Sequence, residues 1–274
     1  MVPAPNRNHF PKRTPVKKFP VRCADCKDGE DLGFDFVMAF QPIVDMAARR
    51  VWGYEALVRG TEGEGAGAVL GRVNHANRYR FDQACRVKAI TGASQLFQAP
   101  HLRLTINFMP NAVYEPAACI RASLAAAEKV GFARERIVFE FTENERIDVA
   151  HIGRIVAEYR RLGFMVALDD FGAGYAGLGL LADFPPDLIK IDMHLLRGID
   201  TSPARQAIVA GIVGIARTLD IRVIAEGVET REELAVLAAA GITLFQGYLF
   251  SRPAIGALPA IALLGEETAN RLSA

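Results

Sequence analysis

The sequence predicts an α/β fold, a (β/α)8 TIM-type barrel whose first strand is atypical and antiparallel. From residue 79 onward, apolar runs of strand length alternate with segments of helical periodicity. The first two strands, residues 34–44 and 51–58, are joined by a polar turn that is short enough only for an antiparallel hairpin. With 274 residues and 51% hydrophobic content, the chain can close such a barrel as one domain.

The elements that follow the hairpin are predicted from periodicity and end signals. Asp148 and Ser202 stand where helix N-caps belong, Pro203 fits the first helical position, and Thr230 with Glu233 forms a capping box. The predicted strands are residues 102–108, 137–141, 164–168, 188–191, 222–225 and 244–250. The predicted helices are residues 79–97, 112–130, 149–162, 177–182, 203–219 and 231–240, with a terminal helix after Pro253.

The charge distribution and the hydropathy of the chain limit the classes of function that it can have. Residues 1–22 carry six of the 32 Lys and Arg residues, five prolines and no acid. We therefore divide the chain into a flexible basic tail, residues 1–30, and a mildly acidic barrel, residues 31–270. The acidic body excludes a general surface for duplex nucleic acid. No apolar run reaches the roughly 18–20 residues that span a bilayer, so we expect a soluble, cytoplasmic protein without membrane insertion.

Cysteine usage adds little. The chain has four cysteines. Cys23 and Cys26 form one C-x-x-C pair, which is half of a four-ligand zinc site, and Cys85 and Cys119 are expected to be buried thiols. The role of the Cys23 and Cys26 pair stays open.

Polar residues recur at the strand ends. Asp169 and Asp170 directly follow an apolar run and precede Gly172, so both can serve one site if the strand ends or twists there. Working residues of such barrels project from the C-terminal ends of the strands. The polar residues at these ends are Glu55, Asn107, Glu140, Glu143, Asp169, Asp170, Lys190, Glu226 and Gln246.

Crowded carboxylates predict a metal centre. Carboxylates that converge on one barrel mouth repel each other and take up protons unless cations hold them ionised. A set of oxygen ligands without His or Cys favours hard ions such as Mg²⁺ or Mn²⁺. Four carboxylates and an amide can hold two ions if one carboxylate bridges them, which is an arrangement used for phosphodiester hydrolysis.

Each residue alone has a simpler interpretation. Glu55 could pair with Arg59, Lys190 could pair with Asp192, and Asp170 could cap the next turn. Asn107 and Gln246 could satisfy nearby backbone groups. Together these interpretations would have to explain polar residues at seven consecutive strand ends, so we favour one common site.

The ordered motifs resemble those of the EAL-domain cyclic di-GMP phosphodiesterases, over about residues 36–253. The matching segments are Phe40-Gln41-Pro42-Ile43, Gly53-Tyr54-Glu55-Ala56-Leu57-Val58-Arg59, Ile106-Asn107-Phe108, Phe139-Glu140-Phe141-Thr142-Glu143, Asp169-Asp170-Phe171-Gly172, Ile189-Lys190-Ile191-Asp192, Ala225-Glu226-Gly227-Val228-Glu229 and Phe245-Gln246-Gly247-Tyr248.

The resemblance implies roles for these residues. Glu55, Asn107, Glu140 and Asp169 would hold one Mg²⁺ or Mn²⁺ ion, and Asp169, Asp170 and Glu226 the second. The catalytic group would be Glu55, Lys190 and Gln246, of which Lys190 and Gln246 orient the attacking water. The substrate contacts would be Gln41 and Arg59, and Glu143 would steady the loop after Asp170. The implied reaction opens cyclic di-GMP to linear pGpG.

The resemblance also implies partners. A homodimer is expected, and regulation would come from the tail, from dimerisation or from a separate sensory protein. The loop after Asp170 carries Ala173, Ala176 and Gly177 where many members have hydroxyl residues, which leaves its coupling to a dimer open. Two alternatives remain: a catalytically silent cyclic di-GMP receptor or scaffold, and an unrelated barrel that uses Lys190 as a Schiff-base lysine.

Overall fold

A computed structural model describes residues 32–142, 148–173 and 177–261, and within these ranges the strands close into a barrel. The strands are β1 (Val37–Asp45), β2 (Arg50–Arg59), β3 (Arg103–Asn107), β4 (Ile137–Thr142), β5 (Met165–Phe171), β6 (Leu188–Ile191), β7 (Arg222–Ala225), β8 (Leu244–Phe245) and β9 (Ala254–Ile255). The α-helices are α1 (Ala66–Leu70), α2 (Arg78–Leu96), α3 (Pro116–Cys119), α4 (Arg121–Lys129), α5 (Val149–Arg161), α6 (Gly177–Asp183), α7 (Met193–Leu196), α8 (Pro203–Thr218) and α9 (Arg231–Ala239).

The barrel has the predicted fold class, including the antiparallel first strand. From β2 to β8 each strand pairs with the next in parallel. β1 closes the barrel by pairing antiparallel with both β2 and β8. β9, which the sequence did not predict, adds a short antiparallel pairing to β1. Because β2 to β8 run in parallel, their C-terminal ends meet at one mouth.

Two apolar layers hold the barrel together. A large layer lies between the strands and the helices, where α5 contributes Ile152, Ile155, Val156 and Tyr159 from one face. A smaller layer fills the barrel interior. Its buried members are Ile43, Trp52, Val138, Ala167, Leu188, Ile224 and Leu244.

A bulge in β2 places the tryptophan inside the barrel. The β1–β2 register shifts between Ile43, which pairs with Gly53, and Val44, which pairs with Val51, so Trp52 has no partner across the hairpin. Such an extra residue re-aims its side chain. A Cβ atom at position 53 would lie 2.4 Å from the Arg103 carbonyl oxygen, so only glycine allows this approach of β2 to β3.

A buried ion pair fixes the chain just after β3. Arg86 Nη2 lies 2.6 Å from Asp82 Oδ2, and both side chains are at most 1% exposed. The other carboxylate oxygen of Asp82 accepts the backbone N–H of Met109 at 2.9 Å, and Arg86 donates to the Tyr159 hydroxyl at 2.8 Å. The guanidinium also lies over the Phe108 ring, 5.2 Å from its centroid. This pair therefore connects α2 to the segment that carries Asn107.

The structure corrects three predicted elements. The predicted helix 112–130 is wrong as a single element: a 3₁₀ turn, α3 and α4 take its place, because Pro116 has no N–H to continue a helix and starts a new one. The predicted strand 244–250 ends at Phe245, since Phe250 N–H turns back to the Gly247 carbonyl. Strand β5 is longer than predicted and continues to Phe171.

Several predictions concern residues that the structure does not describe. These are the tail of residues 1–30 with Cys23 and Cys26, and Glu143. The terminal helix predicted after Pro253 does not begin there, because residues 254–261 form β9 and non-helical chain, and residues beyond 261 lie outside the described part. Cys85 and Cys119 are buried, as predicted. Among the described residues, no helix combines the length and apolar character that a membrane crossing needs.

Breaking the buried pair is expected to destabilise the fold. Asp82→Asn removes one charge and leaves the Arg86 guanidinium uncompensated, which should lower the free energy of unfolding by about 3–5 kcal/mol. Urea denaturation measures the change. The control is Glu158→Gln, which breaks the pair between Glu158 and Arg161 on the surface of α5. A loss for Asp82→Asn no larger than that of the control would contradict this account.

Candidate metal centre and cavity

The C-terminal strand ends bring the predicted carboxylates into two overlapping groups. One oxygen from each of Glu55, Glu140 and Asp169 lies within 4.8 Å of the others. The same limit holds for Asp169, Asp170 and Glu226. Asp169 belongs to both groups, so its carboxylate can bridge two sites.

A second strand irregularity lets the two adjacent aspartates share one mouth. The β5–β6 register shifts by one residue between Leu168 and Phe171. Asp170 lies in this shift and has a φ of 56°, in the left-handed region that Asp tolerates better than most residues. Because the strand twists here, Asp169 and Asp170 do not point to opposite faces as regular strand neighbours would.

Lys190 lies at the centre of the carboxylates and is 1% exposed. Its Nζ is 2.7 Å from Glu226, 3.1 Å from Glu140, 3.2 Å from Asp169 and 3.4 Å from Glu55. One ammonium therefore contacts carboxylates from four different strand ends. It does not pair with Asp192, as one alternative supposed, because the Asp192 carboxylate accepts the N–H of His194 instead.

Two amides complete the polar network. Asn107 Nδ2 donates to Glu55 Oε1 at 2.7 Å, and Gln246 Nε2 donates to Glu55 Oε2 at 2.7 Å and to Gln41 Oε1 at 3.2 Å. Gly247 allows this position of Gln246, since a Cβ atom there would lie 2.1 Å from the Val228 carbonyl oxygen. The carboxylate of Glu55 is thus oriented by partners on β3, β6 and the segment after β8.

Burial and repulsion disturb the titration of these acids. Burial raises the pKa of Glu140 and of Glu226 well above the usual range, and neighbouring carboxylates raise both further against the attraction of Lys190. Burial raises the pKa of Asp170 to about 6, with Asp169 adding to the effect. Without added cations, this site therefore favours protonated carboxyl groups.

The same acids would suit a divalent cation. Glu140 is fully buried, and its Oε1 has no hydrogen-bond partner among the described residues. A buried acceptor without a partner costs free energy, and a cation removes that cost while holding the carboxylate ionised. Because every atom that could coordinate a metal here is a carboxylate or amide oxygen, the site fits a hard divalent ion.

A cavity of about 270 Å³ opens above the carboxylates. Tyr248 lies at its wall, half exposed, with the Arg252 guanidinium 4.1 Å from the ring centroid. Tyr248 and Arg252 were not predicted as site residues, although Tyr248 lies within the predicted strand 244–250 and Arg252 follows shortly after it. The residues of the cavity wall include Gln41, Glu55, Asp170, Glu226, Gln246 and Tyr248.

Two predicted site residues, Arg59 and Glu143, are not found at the cavity among the described residues. Arg59 is half-buried and donates to the adjacent Val58 carbonyl at 2.7 Å, so it makes no ion pair with Glu55. It also lies outside the wall of the cavity. Glu143 is not among the described residues.

The family follows from the comparisons with known proteins. The family model of the EAL domain matches residues 32–253, and the chain belongs to this family. The chain is 51% identical to a standalone EAL protein from Vibrio cholerae solved in a c-di-GMP bound form, with a TM-score of 0.81 over 84% of this chain and 97% of that one. It is 38% identical to Klebsiella pneumoniae BlrP1 in a manganese and cyclic diGMP complex, with a TM-score of 0.77 over 81% and 56% of the two chains.

Curated relatives extend the comparison. The chain is 35% identical to the blue light- and temperature-regulated antirepressor BluF of Escherichia coli, over 82% of this chain and 56% of BluF. It is 31% identical to the cyclic di-GMP phosphodiesterase PA2567 of Pseudomonas aeruginosa, over 82% of this chain and 39% of that protein. The chain thus spans roughly half or less of the length of these relatives.

The pKa of Asp170 predicts how stability depends on pH in metal-free protein. The folded state holds this proton up to about pH 6, whereas the unfolded chain releases it near 3.8. The folded state therefore binds more protons in this window, and the contribution of Asp170 to stability falls as pH rises through it. Urea midpoints after dialysis against a chelator measure the effect. Asp170→Asn should lose less stability than the wild type across the window, and parallel curves would contradict the assignment.

Proposed function

We propose that this chain hydrolyses one phosphodiester bond of cyclic di-GMP and releases linear pGpG. The observation that carries the proposal is the presence of two clusters of three acidic residues that have Asp169 in common. Two adjacent cation sites suit phosphodiester hydrolysis. The reaction class is supported by the phosphodiesterase name of PA2567 and by the nucleotide bound to the Vibrio cholerae protein.

The proposed metal ligands follow from the two groups. Glu55, Glu140 and Asp169, with the side-chain oxygen of Asn107, would hold one Mg²⁺ or Mn²⁺ ion. Asp169, Asp170 and Glu226 would hold the second. Such ions lower the pKa of water and stabilise negative charge on attacking and leaving oxygens. Manganese in the BlrP1 complex supports this choice of ion.

Lys190 and Gln246 would orient the attacking water. The Lys190 ammonium is held by four carboxylates, and their attraction outweighs burial and raises the pKa of Lys190 well above its usual range. It therefore stays a hydrogen-bond donor at neutral pH. The same charge argues against a Schiff-base role, which needs a neutral amine.

The substrate would enter through the cavity. Gln41 and Gln246 lie at its wall and can donate amide hydrogens to a phosphate or a base. Arg59 remains a proposed phosphate contact because a guanidinium matches phosphate geometry. To reach the cavity, Arg59 would have to leave its present bond to the Val58 carbonyl. Glu143 remains a proposed support of the loop after Asp170.

A second candidate function is a catalytically silent cyclic di-GMP receptor or scaffold. The observation that favours it is the likeness to BluF, whose name describes an antirepressor. The complete set of carboxylates favours hydrolysis, because a receptor would not need two adjacent cation sites.

The remaining assignments are also proposals. Residues 1–30 would form a basic tail and residues 31–270 the EAL-type phosphodiesterase barrel. The active form would be a homodimer in the cytoplasm, regulated by the tail, by dimerisation or by a separate sensory protein.

Removing metal or a ligand should abolish product formation. We expect purified protein to convert cyclic di-GMP to pGpG with Mg²⁺ or Mn²⁺ but not with a chelator. Glu55→Ala and Asp169→Asn should reduce turnover by at least about 10²-fold, since each removes a proposed ligand. Anion-exchange chromatography of the nucleotides measures the product.

The control is Glu128→Gln on the exposed surface of α4, which should leave turnover unchanged. Full turnover after chelation would contradict the metal mechanism. Nucleotide binding without pGpG in either metal would instead identify a receptor.

A further inference from the structure

The N-terminal end of the barrel, opposite the carboxylates, carries a group of guanidiniums that the proposed reaction does not use. Arg103, Arg136 and Arg222 stand at or just before the starts of β3, β4 and β7, and Arg50 starts β2. We call these four residues the basal arginine cluster. Since the strands from β2 to β8 are parallel, all four lie at the same end of the barrel.

Two members of the cluster cover the buried tryptophan. The Arg103 guanidinium lies 5.1 Å from the centroid of the Trp52 ring, and the Arg222 guanidinium lies 5.2 Å from it. Trp52 is 2% exposed and belongs to the layer that fills the barrel. The ring therefore separates the apolar interior from a cationic end.

Two buried donors at this end have no partner among the described residues. They are Trp52 Nε1 and Arg103 Nε. An unpaired buried donor costs free energy comparable to a lost hydrogen bond. Two unpaired donors beside a cationic cluster point to an anion with several acceptor oxygens.

The charge of this end is poorly balanced. Within the described part of the chain, no ion pair neutralises Arg50, Arg103 or Arg222. Burial lowers the pKa of Arg103, and repulsion from Arg222 and Arg50 lowers it further. Asp45 attracts Arg222 and counters part of this repulsion.

Arg136 has a different role from the other three. Its Nε donates to the Leu102 carbonyl at 2.7 Å and its Nη2 donates to the Ala99 carbonyl at 3.2 Å. It therefore supplies charge to the cluster while its hydrogen bonds go to the backbone. Arg50, Arg103 and Arg222 remain as donors for a ligand.

A cavity adjoins the cluster. It has a volume of about 250 Å³ and its wall includes Arg222, Arg217, Thr243 and the carboxylate residue Asp220. Arg222 thus contacts both the tryptophan ring and the cavity. The volume holds one or two phosphate groups and is too small for a folded partner to enter.

We propose that the basal arginine cluster and Trp52 form a binding site for a small anion of the phosphate class, such as inorganic phosphate, pyrophosphate or a phosphate ester. A tetrahedral phosphate offers several acceptor oxygens to guanidiniums that approach from β2, β3 and β7. A monocarboxylate offers two oxygens in one plane and would leave at least one of these donors without a partner. The site is independent of the proposed hydrolysis.

Tryptophan fluorescence can be used to measure binding, because Trp52 is the one tryptophan in the chain. Full-length protein is titrated with pyrophosphate at constant ionic strength, and emission is excited where tyrosine does not absorb. Binding should draw the Arg103 and Arg222 guanidiniums away from the ring and give a saturable change in emission. Arg103→Gln and Arg222→Gln should each weaken the apparent affinity by about tenfold or more, the loss of one charge-assisted hydrogen bond.

Two further variants separate the site from general charge and from folding. Arg121→Gln removes a guanidinium from α4, outside the cluster, and should leave the affinity unchanged. Arg103→Lys keeps the charge but loses the Nε donor, and it should also weaken binding. Circular dichroism confirms that each variant folds.

Three outcomes would overturn the proposal. One is the absence of a saturable change in emission with pyrophosphate. Another is an equal response to chloride at matched ionic strength, which reports screening alone. The third is an unchanged affinity in folded Arg103→Gln and Arg222→Gln. None of these outcomes affects the test of hydrolysis, which reads nucleotide products.

Discussion

Repulsion between buried carboxylates at the barrel mouth is the constraint on which the site depends. Glu55, Glu140, Asp169 and Glu226 all contact Lys190, and one ammonium cannot neutralise four negative charges. In the metal-free protein the pKa values of Glu140, Asp169 and Glu226 are raised, so part of the cluster stays protonated. Divalent ions would offset the same repulsion and hold the carboxylates ionised. Metal-assisted phosphodiester hydrolysis requires this ionised state.

Departures from regular strand geometry build this arrangement. The bulge in β2 turns Trp52 into the barrel, and the shift in β5 brings Asp169 and Asp170 to the same mouth. The antiparallel β1 places Gln41 directly across from Glu55 in the hairpin. The barrel also separates charge along its axis. β7 begins with Arg222 and is followed by Glu226, and their Cα atoms are about 13 Å apart at 3.3 Å per residue.

Much of the barrel fold and of the carboxylate site could be predicted from the sequence, because strand ends and helix caps are local signals. Polar residues after apolar runs identified the carboxylates, and the short turn identified the antiparallel hairpin. The break at Pro116 was missed because alanines on both sides conceal it in a helical pattern. The contacts of Arg59 could not be predicted either, since a half-buried arginine has several acceptors within reach. Trp52 and its guanidiniums come together through a bulge that periodicity does not reveal.

Electron paramagnetic resonance during titration of metal-free protein with Mn²⁺ gives the number of ions bound per chain, and so tests whether the carboxylates form two cation sites. We expect two ions for the wild type and a loss of both sites in Asp169→Ala, because this carboxylate belongs to both groups. The absence of bound Mn²⁺ at millimolar Mn²⁺, or an unchanged stoichiometry in Asp169→Ala, would contradict this expectation.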